Sequence, residues 1–208
     1  MKPPLLCYLC GKPATTKDHV PPKTLFAPPR PHNLITLPCC AECNGAYALD
    51  EEYFRNNISM ISDHRNAREI WEATRRSYKR NPKILADIDK RILPVKAGPI
   101  LLPAVRFDAA RTNRVLIKIA RGLVCHHTGR KLPQQVKTEV FLDPQISDQL
   151  HDWIRGLPFR NRWGTRFSYV GMMAQDEADV GCWFLVFYVS KVFVVSFGTE
   201  AEPTVPAS

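Results

Sequence analysis

The sequence predicts an α+β protein, in which a cysteine-rich segment precedes helices and a final antiparallel sheet. Three observations predict this fold class. Residues 1–48 hold five of the seven cysteines and show little helical periodicity. Residues 50–92 carry apolar side chains at helical spacing, which indicates helices packed on a core. The last third of the chain contains runs rich in aromatic and β-branched residues, which favour strands.

The helical part has recognisable start and stop signals. Asp50 is expected to cap the first long helix, and Pro82 to end it or to begin another. Residues 93–104 have the proline and glycine content of a linker, and their apolar character predicts that this linker is packed down. Asp108 is expected to cap a helix that runs to about Leu123, and a short helix is expected after Pro144, through Leu150, Trp153 and Ile154.

Three strands are predicted near the end of the chain, the last two joined as a hairpin around Ser190-Lys191. They cover Arg166–Met173, Cys182–Val189 and Val192–Phe197. With a length of 208 residues, we expect a module in residues 1–60, a helical segment with its linker in 61–104, and an accessory α/β domain in 105–208. A homodimer contact or a protein partner is expected on that accessory domain.

Charge and cysteine usage restrict the class of protein. The formal net charge is +9, which favours an anionic partner such as nucleic acid. The most apolar stretch, Cys182 to Phe197, is too short and too interrupted to span a bilayer as a helix, so no membrane partner is expected. An odd number of cysteines in tight groups suits metal binding in a reducing compartment, and we expect a cytoplasmic protein.

Two CxxC pairs predict a zinc site. Cys7 and Cys10 form the first pair, and Cys40 and Cys43 form the second. Four thiolates at this spacing are typical of a tetrahedral Zn²⁺ site, which stabilises small segments with few large apolar residues. Cys39 is an alternative to Cys40, although the two-residue spacing favours Cys40. Free buried thiols are the plain alternative. A closed four-thiolate shell has no open position for substrate, so the predicted zinc is structural.

Polar residues between and beside these pairs are the candidate catalytic residues. Asp18 and His19 are adjacent and lie between the two CxxC pairs. Asn33 introduces a short apolar run, and Asn44 directly follows a predicted zinc ligand. Taken one at a time, each Asn is more often a turn or capping residue, and an Asp-His pair is common at protein surfaces.

Taken together, the order CxxC, Asp-His, Asn-Leu, CxxC-Asn resembles the HNH endonuclease family in its zinc-braced form, over about residues 7–55. The resemblance implies a ββα-metal module with a first strand ending at Asp18-His19, a second strand over Leu34–Leu37 and a helix after Cys43. It further implies that His19 is the general base, that Asp18 and Asn44 hold one Mg²⁺ (or Mn²⁺), and that Asn33 orients the loop carrying His19.

These residue types suit phosphodiester hydrolysis. The reaction needs an activated water and positive charge near the leaving oxygen and the crowded phosphorus. A neutral imidazole can accept the proton near neutral pH, and carboxylate and amide oxygens are ligands that hard divalent cations prefer. The expected function is therefore metal-dependent cleavage of DNA. Two alternatives stay open: the same site acting on RNA, and a zinc-stapled nucleic-acid-binding protein without catalysis.

Other polar groups compete for a functional role. His32 could contact phosphate, although an exposed surface position is the simpler interpretation. The Asp50-Glu51-Glu52 cluster could supply a metal ligand, but acids in a first helical turn explain it as well. Cys125-His126-His127 is better explained as the last turn of a helix ending at Gly129. A basic face that could follow a nucleic-acid backbone comprises Arg68, Arg75, Arg76, Lys79 and Arg80, with Lys83 nearby.

Overall fold

The computed structural model describes residues 4–78, 90–142, 154, 156–174 and 179–198. Its first part is an antiparallel hairpin of β1 (Thr16–Val20) and β2 (Ile35–Cys39), with a short 3-10 helix at Lys23–Leu25 in the connection. Helix α1 (Ala41–Ala46) follows β2 directly. In the hairpin register, Asp18 lies opposite Leu37 and His19 lies opposite Thr36. The chain therefore begins with two strands and a helix.

Two helices follow where the apolar periodicity predicted helical structure. Helix α2 spans Ala48–Met60 and helix α3 spans Arg65–Tyr78. The expected N-cap was wrong by three residues: Tyr47 occupies that position, and Asp50 lies in the first turn of α2. Asp50 instead pairs with arginines of a later helix, a long-range contact that its position in the sequence does not indicate. Pro82 lies outside the described residues.

The linker predicted at residues 93–104 is a β-hairpin. Strand β3 (Ile92–Ala97) pairs with β4 (Ile100–Val105), and Pro94 lies opposite Pro103. Prolines lack the N–H group that a ladder needs, so their presence on both strands argued for a linker. A two-stranded ribbon consists of edge strands alone, and edge strands tolerate proline. Among the side chains of this segment that the structure describes, the expectation of packing down was also wrong, because Val95 and Ile100 are exposed.

Helix α4 (Ala109–Thr128) begins and ends at local sequence signals. Asp108 caps it, with Oδ1 accepting a hydrogen bond from the Arg111 backbone N–H at 3.2 Å, as predicted. The helix continues beyond the expected end at Leu123 and stops at Gly129, whose φ of 69° lies in the left-handed region. The interpretation of Cys125-His126-His127 as the last turn of this helix is confirmed.

The predicted C-terminal antiparallel sheet is present and has five strands in the order β5-β9-β8-β7-β6. The three predicted strands correspond to β7, β8 and β9, and the structure adds β5 and β6. The bounds are Lys137–Leu142 (β5), Phe159–Trp163 (β6), Phe167–Met173 (β7), Gly181–Phe187 (β8) and Lys191–Gly198 (β9). The helix predicted after Pro144 lies outside the described residues except for Ile154.

One hydrophobic cluster connects the hairpin, the helices and the C-terminal sheet. The ring of Phe54 on α2 packs edge-on against Phe187 and Phe193 of the sheet, at centroid distances of 5.3 and 6.0 Å. Tyr188 reaches back to the N-terminal part and donates a hydrogen bond to the Leu25 carbonyl at 2.9 Å. The three segments expected from the sequence thus share buried contacts, and the division of the chain at these bounds stays a prediction. No helix in the described part of the chain is both long and apolar enough to cross a bilayer.

Helix α4 crosses the hairpin at very short range because of a glycine. A Cβ atom added at Gly122 would lie 2.6 Å from Val20 Cγ2 and 3.0 Å from its Cγ1. The valine side chain is buried, β-branched and stiff, so it cannot move aside at low cost. The absence of a side chain at residue 122 therefore sets the distance between α4 and β1.

We expect Gly122→Ala to lower the free energy of unfolding by about 1–3 kcal/mol through overpacking against Val20. Gly45→Ala is the matched control, because that helical glycine has open space around its Cα and should be neutral or slightly stabilising. Urea unfolding measures both. In a Val20→Ala background the Gly122→Ala penalty should largely disappear, and an unchanged penalty would contradict the contact.

Candidate functional site

The four predicted zinc ligands converge. The sulfur atoms of Cys7, Cys10, Cys40 and Cys43 all lie within 4.8 Å of one another. A tetrahedral zinc with Zn–S bonds of about 2.3 Å requires sulfur separations of about 3.8 Å. The Cys10 and Cys40 sulfurs are 3.6 Å apart, which agrees with that requirement. The cluster therefore fits a zinc ion, and among the described residues it is the one group with such ligand spacing.

Each CxxC pair is held in a tight turn by backbone hydrogen bonds. In the first, the Gly11 N–H donates to the Cys7 carbonyl at 2.9 Å, and Gly11 adopts a φ of 81° that favours glycine. In the second, Cys40 caps helix α1 and its sulfur accepts a hydrogen bond from the Cys43 N–H at 3.4 Å. The local backbone thus turns both sulfurs of each pair toward one point.

The thiol environments differ within the cluster. Burial raises the pKa of Cys7, but backbone N–H groups, first that of Cys10 and then those of Cys40 and Leu9, lower it to about 6. Burial and neighbouring thiols raise the pKa of Cys43. Cys39, the alternative ligand, lies outside the four-sulfur group with its sulfur 3.8 Å from that of Cys7, and burial raises its pKa. The two-residue spacing therefore identified the second pair correctly.

Asp18 is buried in a network of hydrogen bonds and ion pairs. Its Oδ2 accepts from the Tyr8 hydroxyl at 2.7 Å and lies 2.7 Å from the Lys118 ammonium. Its Oδ1 accepts from the backbone N–H of His19 at 2.9 Å. A carboxylate offers about four acceptor positions, and these contacts use three of them. Lys118 also forms an ion pair with Glu51, so carboxylates from β1 and α2 converge on one ammonium group from α4.

The electrostatics of this network depend on Lys118, whose side chain is 2% exposed. Burial alone would lower the pKa of Lys118, but the charges of Asp18 and Glu51 outweigh it and raise that pKa. Burial raises the pKa of Glu51, and the charge of Lys118 only partly offsets the effect. Burial and the neighbouring Asp18 charge raise the pKa of Tyr8, which therefore stays a hydrogen-bond donor. With both carboxylates ionised, Asp18, Glu51 and Lys118 together carry one excess negative charge.

Asn44 lies close to this network but binds a different residue. Its Nδ2 donates to the Thr16 hydroxyl at 3.2 Å. Thr16 and Asp18 are two residues apart on β1, so their side chains share one strand face about 7 Å apart. Asp18, Asn44 and Glu51 are oxygen donors of the type that Mg²⁺ prefers, and the position between Asp18 and Glu51 is filled by the Lys118 ammonium. The proposed Mg²⁺ ligands Asp18 and Asn44 stay a prediction.

His19 is half-buried on the other side of the strand. Successive side chains of a strand point to opposite faces, so His19 faces away from the side on which Asp18 meets Lys118. Burial lowers the pKa of His19, and the charge of Lys23 lowers it further, whereas Asp18 acts in the opposite direction. The imidazole is therefore neutral near neutral pH and partly accessible.

Asn33 is connected to the C-terminal sheet. Its Oδ1 accepts a hydrogen bond from the indole N–H of Trp163 on β6 at 3.1 Å, across 130 residues of sequence. The resemblance implied that Asn33 orients the loop carrying His19 through bonds within the motif. The bond to Trp163 ties Asn33 to the accessory part of the chain, and the role that the resemblance implies for Asn33 stays a prediction.

The competing residues have ordinary structural surroundings. His32 is exposed. His127 donates or accepts a 2.8 Å hydrogen bond with Tyr169 and stacks on Phe159 and Trp183, and burial lowers its pKa to about 4. On α3, Arg68 and Arg75 pair with nearby acids at 3.3 and 3.0 Å. Lys79, Arg80 and Lys83 of the expected basic face lie outside the described residues.

Lys118 and Tyr8 had no role in the sequence analysis, and Glu51 was set aside as a residue of a first helical turn. A signal for Lys118 existed: it lies three residues after Val115 and four before Gly122, on the buried face of α4. A lysine on an apolar helix face requires a buried acidic partner. Which acid it meets depends on how α4 crosses the hairpin, and the sequence pattern does not contain that angle.

Comparisons of the chain with protein-family models, with curated proteins and with solved structures returned no match. The function of the site is therefore argued from its geometry and chemistry.

We expect the purified chain to hold one zinc ion, because the four sulfurs form one ligand set. Cys10→Ser and Cys43→Ser should each reduce the zinc content and the thermal stability sharply, since metal binding contributes to folding. Cys125→Ser is the matched control for a cysteine outside the set. Elemental analysis and thermal unfolding measure both properties, and full zinc occupancy in Cys43→Ser would contradict the assignment.

We expect Lys118→Met to lower the free energy of unfolding by about 3–5 kcal/mol at neutral pH, because two buried carboxylates lose their cation. Burial already raises the pKa of Glu51, and without the Lys118 charge this pKa would lie further above its unfolded value, so the variant should be less impaired at mildly acidic pH and more impaired as the pH rises. Urea unfolding across this range measures the effect. Lys17→Met, on the exposed face of β1, is the control, and Asp18→Asn should partly rescue Lys118→Met.

Proposed function

We propose that the chain is an HNH-type nuclease that hydrolyses phosphodiester bonds of DNA, with His19 as the general base. The observation that carries the proposal is the assembly of parts in the order that the resemblance implies. Strands β1 and β2 form a hairpin, α1 follows, and the four-sulfur cluster holds both ends of this unit. Asp18, beside His19, already binds a cationic group.

His19 has the accessibility and protonation state that a base needs. It lies on the more open face of β1, where Lys17 and Thr36 are exposed neighbours. The imidazole accepts a proton from water as the water oxygen bonds to phosphorus, and the bond from phosphorus to the 3′ oxygen breaks. Lys23, whose charge acts on His19, and the exposed Lys17 supply positive charge for the phosphate.

The proposal includes one Mg²⁺ (or Mn²⁺), with Asp18 as a ligand and Asn44 and Glu51 as nearby oxygen donors. A cation there would lie on the face of β1 opposite His19, so it would supply positive charge to the phosphate and the leaving oxygen only if the Asp18 carboxylate turned toward the open face. The Lys118 ammonium contacts Asp18 and Glu51 at the same position, so cation binding requires Lys118 to give up those contacts. We therefore expect cleavage to need a high concentration of the divalent cation for half-maximal rate, because the ammonium competes for the same oxygens.

Plasmid nicking tests the proposal. His19→Ala should reduce the Mg²⁺-dependent rate by about 100-fold or more, because it removes the base. Zinc content and melting temperature should stay at wild-type values, since His19 ligates no zinc and is partly exposed. His32→Ala is the matched control, an exposed histidine outside the hairpin strands. Equal nicking by wild type and His19→Ala would overturn the role of His19.

One observation favours a second candidate function, a zinc-stapled nucleic-acid-binding protein without catalysis. Asp18 is 6% exposed, and Tyr8, Lys118 and the His19 backbone occupy its acceptor positions. Under this alternative, Lys118 is a permanent counter-ion. Wild type would then fail to nick plasmid at any Mg²⁺ concentration, and its affinity for duplex DNA would be the same with Mg²⁺ and with EDTA. Labelled RNA and DNA in competition would identify the preferred nucleic acid in either case.

A further inference from the structure

A cavity between the connection of the first hairpin and helix α3 contains an unusual concentration of positive charge. Its volume is about 450 Å³, within the range of about 300–1,000 Å³ of small-molecule sites. Arg30 from the connection, Arg55 from α2 and Arg76 from α3 all line it. Three arginines from separate elements therefore border one cavity.

The acids near this cavity do not neutralise it. Glu69 is the one acidic residue in the described lining, and its carboxylate pairs with Arg65 at 3.0 Å. Arg55 lies 3.5 Å from Glu52 and hydrogen-bonds the Asn56 side chain. Within the described part of the chain, no hydrogen bond or ion pair involves the Arg30 guanidinium. The lining therefore keeps a positive excess that an anion would offset.

A second, independent observation concerns a hydroxyl group. Thr24 also lines the cavity, and its Oγ1 is buried without a hydrogen-bond partner among the described residues. A buried hydroxyl without a partner costs free energy, and a ligand oxygen that accepts its proton would remove that cost. Arginine guanidinium groups, which can donate two parallel hydrogen bonds, and hydroxyl donors are groups that bind phosphate oxygens.

We propose that this cavity binds the phosphate of a phosphate ester. Its volume exceeds the need of a single phosphate group, and Phe26, Ala27 and Ile70 supply an apolar wall for the organic part. Thr24 of the cavity lining and Lys23, whose charge acts on His19, are consecutive residues of the short 3-10 helix. The ester is either a free nucleotide or a nucleotide of a bound nucleic acid, and the latter source rests on the proposed function.

The test compares ligands that differ by a phosphate. Wild type should bind thymidine 5′-monophosphate and should not measurably bind thymidine, as measured by calorimetry. The double variant Arg30→Gln/Arg76→Gln should weaken nucleotide binding about tenfold or more, and Thr24→Val about threefold. Arg75→Gln removes the same charge from α3 at a residue outside the cavity lining and should change the affinity by less than about twofold.

Melting temperatures must show that each variant is folded, and Arg55 is left unchanged because its bonds to Asn56 hold structure. Failure of wild type to bind the nucleotide, equal binding of thymidine, or an unaffected double variant would overturn the inference. Nucleotide binding without affinity for DNA would support the cavity and identify a free nucleotide as its ligand, while the proposed nuclease would fail. Plasmid nicking by a wild type that binds no nucleotide would leave the nuclease standing and remove the cavity site alone.

Discussion

The ammonium group of Lys118 is the point on which the arrangement of the N-terminal part depends. It is almost fully buried, and an isolated buried charge would be very costly, so α4 must lie where Asp18 and Glu51 can both reach it. One helical turn further along α4, Gly122 permits contact with Val20, which is two residues after Asp18 on β1. The four-residue step from Lys118 to Gly122 on the helix therefore runs alongside the two-residue step from Asp18 to Val20 on the strand.

This junction and the cysteine cluster restrain β1 from two directions. The cluster connects the segment before β1 to the start of α1, and Lys118 connects the middle of β1 to α2 and α4. The consequence is a strand with two different faces. The face of Asp18 is dry and ion-paired, whereas the face of His19 is partly open and close to positive charge. Any chemistry by the imidazole has to take place on the open side.

Features with local causes could be predicted from the sequence. The zinc ligands follow from the two-residue spacing within each cysteine pair, and the start of α4 follows from Asp108, whereas the helix extends past the end expected at Leu123 to Gly129. Aromatic and β-branched content predicted the three central strands of the C-terminal sheet. The helix cap and the strands are determined by residues within a few positions, and each cysteine pair is recognised by its own two-residue spacing.

Features that depend on contacts between distant segments could not be predicted. The hydrogen bond between Asn33 and Trp163 and the ion pair between Asp18 and Lys118 each need the complete packing of helices and sheet. The hairpin at residues 92–105 was missed because proline content outweighed the strand pattern. Asp50 illustrates the same limit: a residue suited to capping is used to hold Arg111 of another helix.

The hydrogen bond from Tyr188 to the Leu25 carbonyl, together with the Lys118 junction, has a practical consequence for work on this protein. A truncated polypeptide ending near residue 60 would contain every residue of the resemblance and would still be incomplete. It would carry Asp18 and Glu51 with no cation between them, and Phe54 would lose the sheet that covers its ring. Biochemical study of the first hairpin and its zinc cluster therefore requires a polypeptide that includes α4 and the C-terminal sheet.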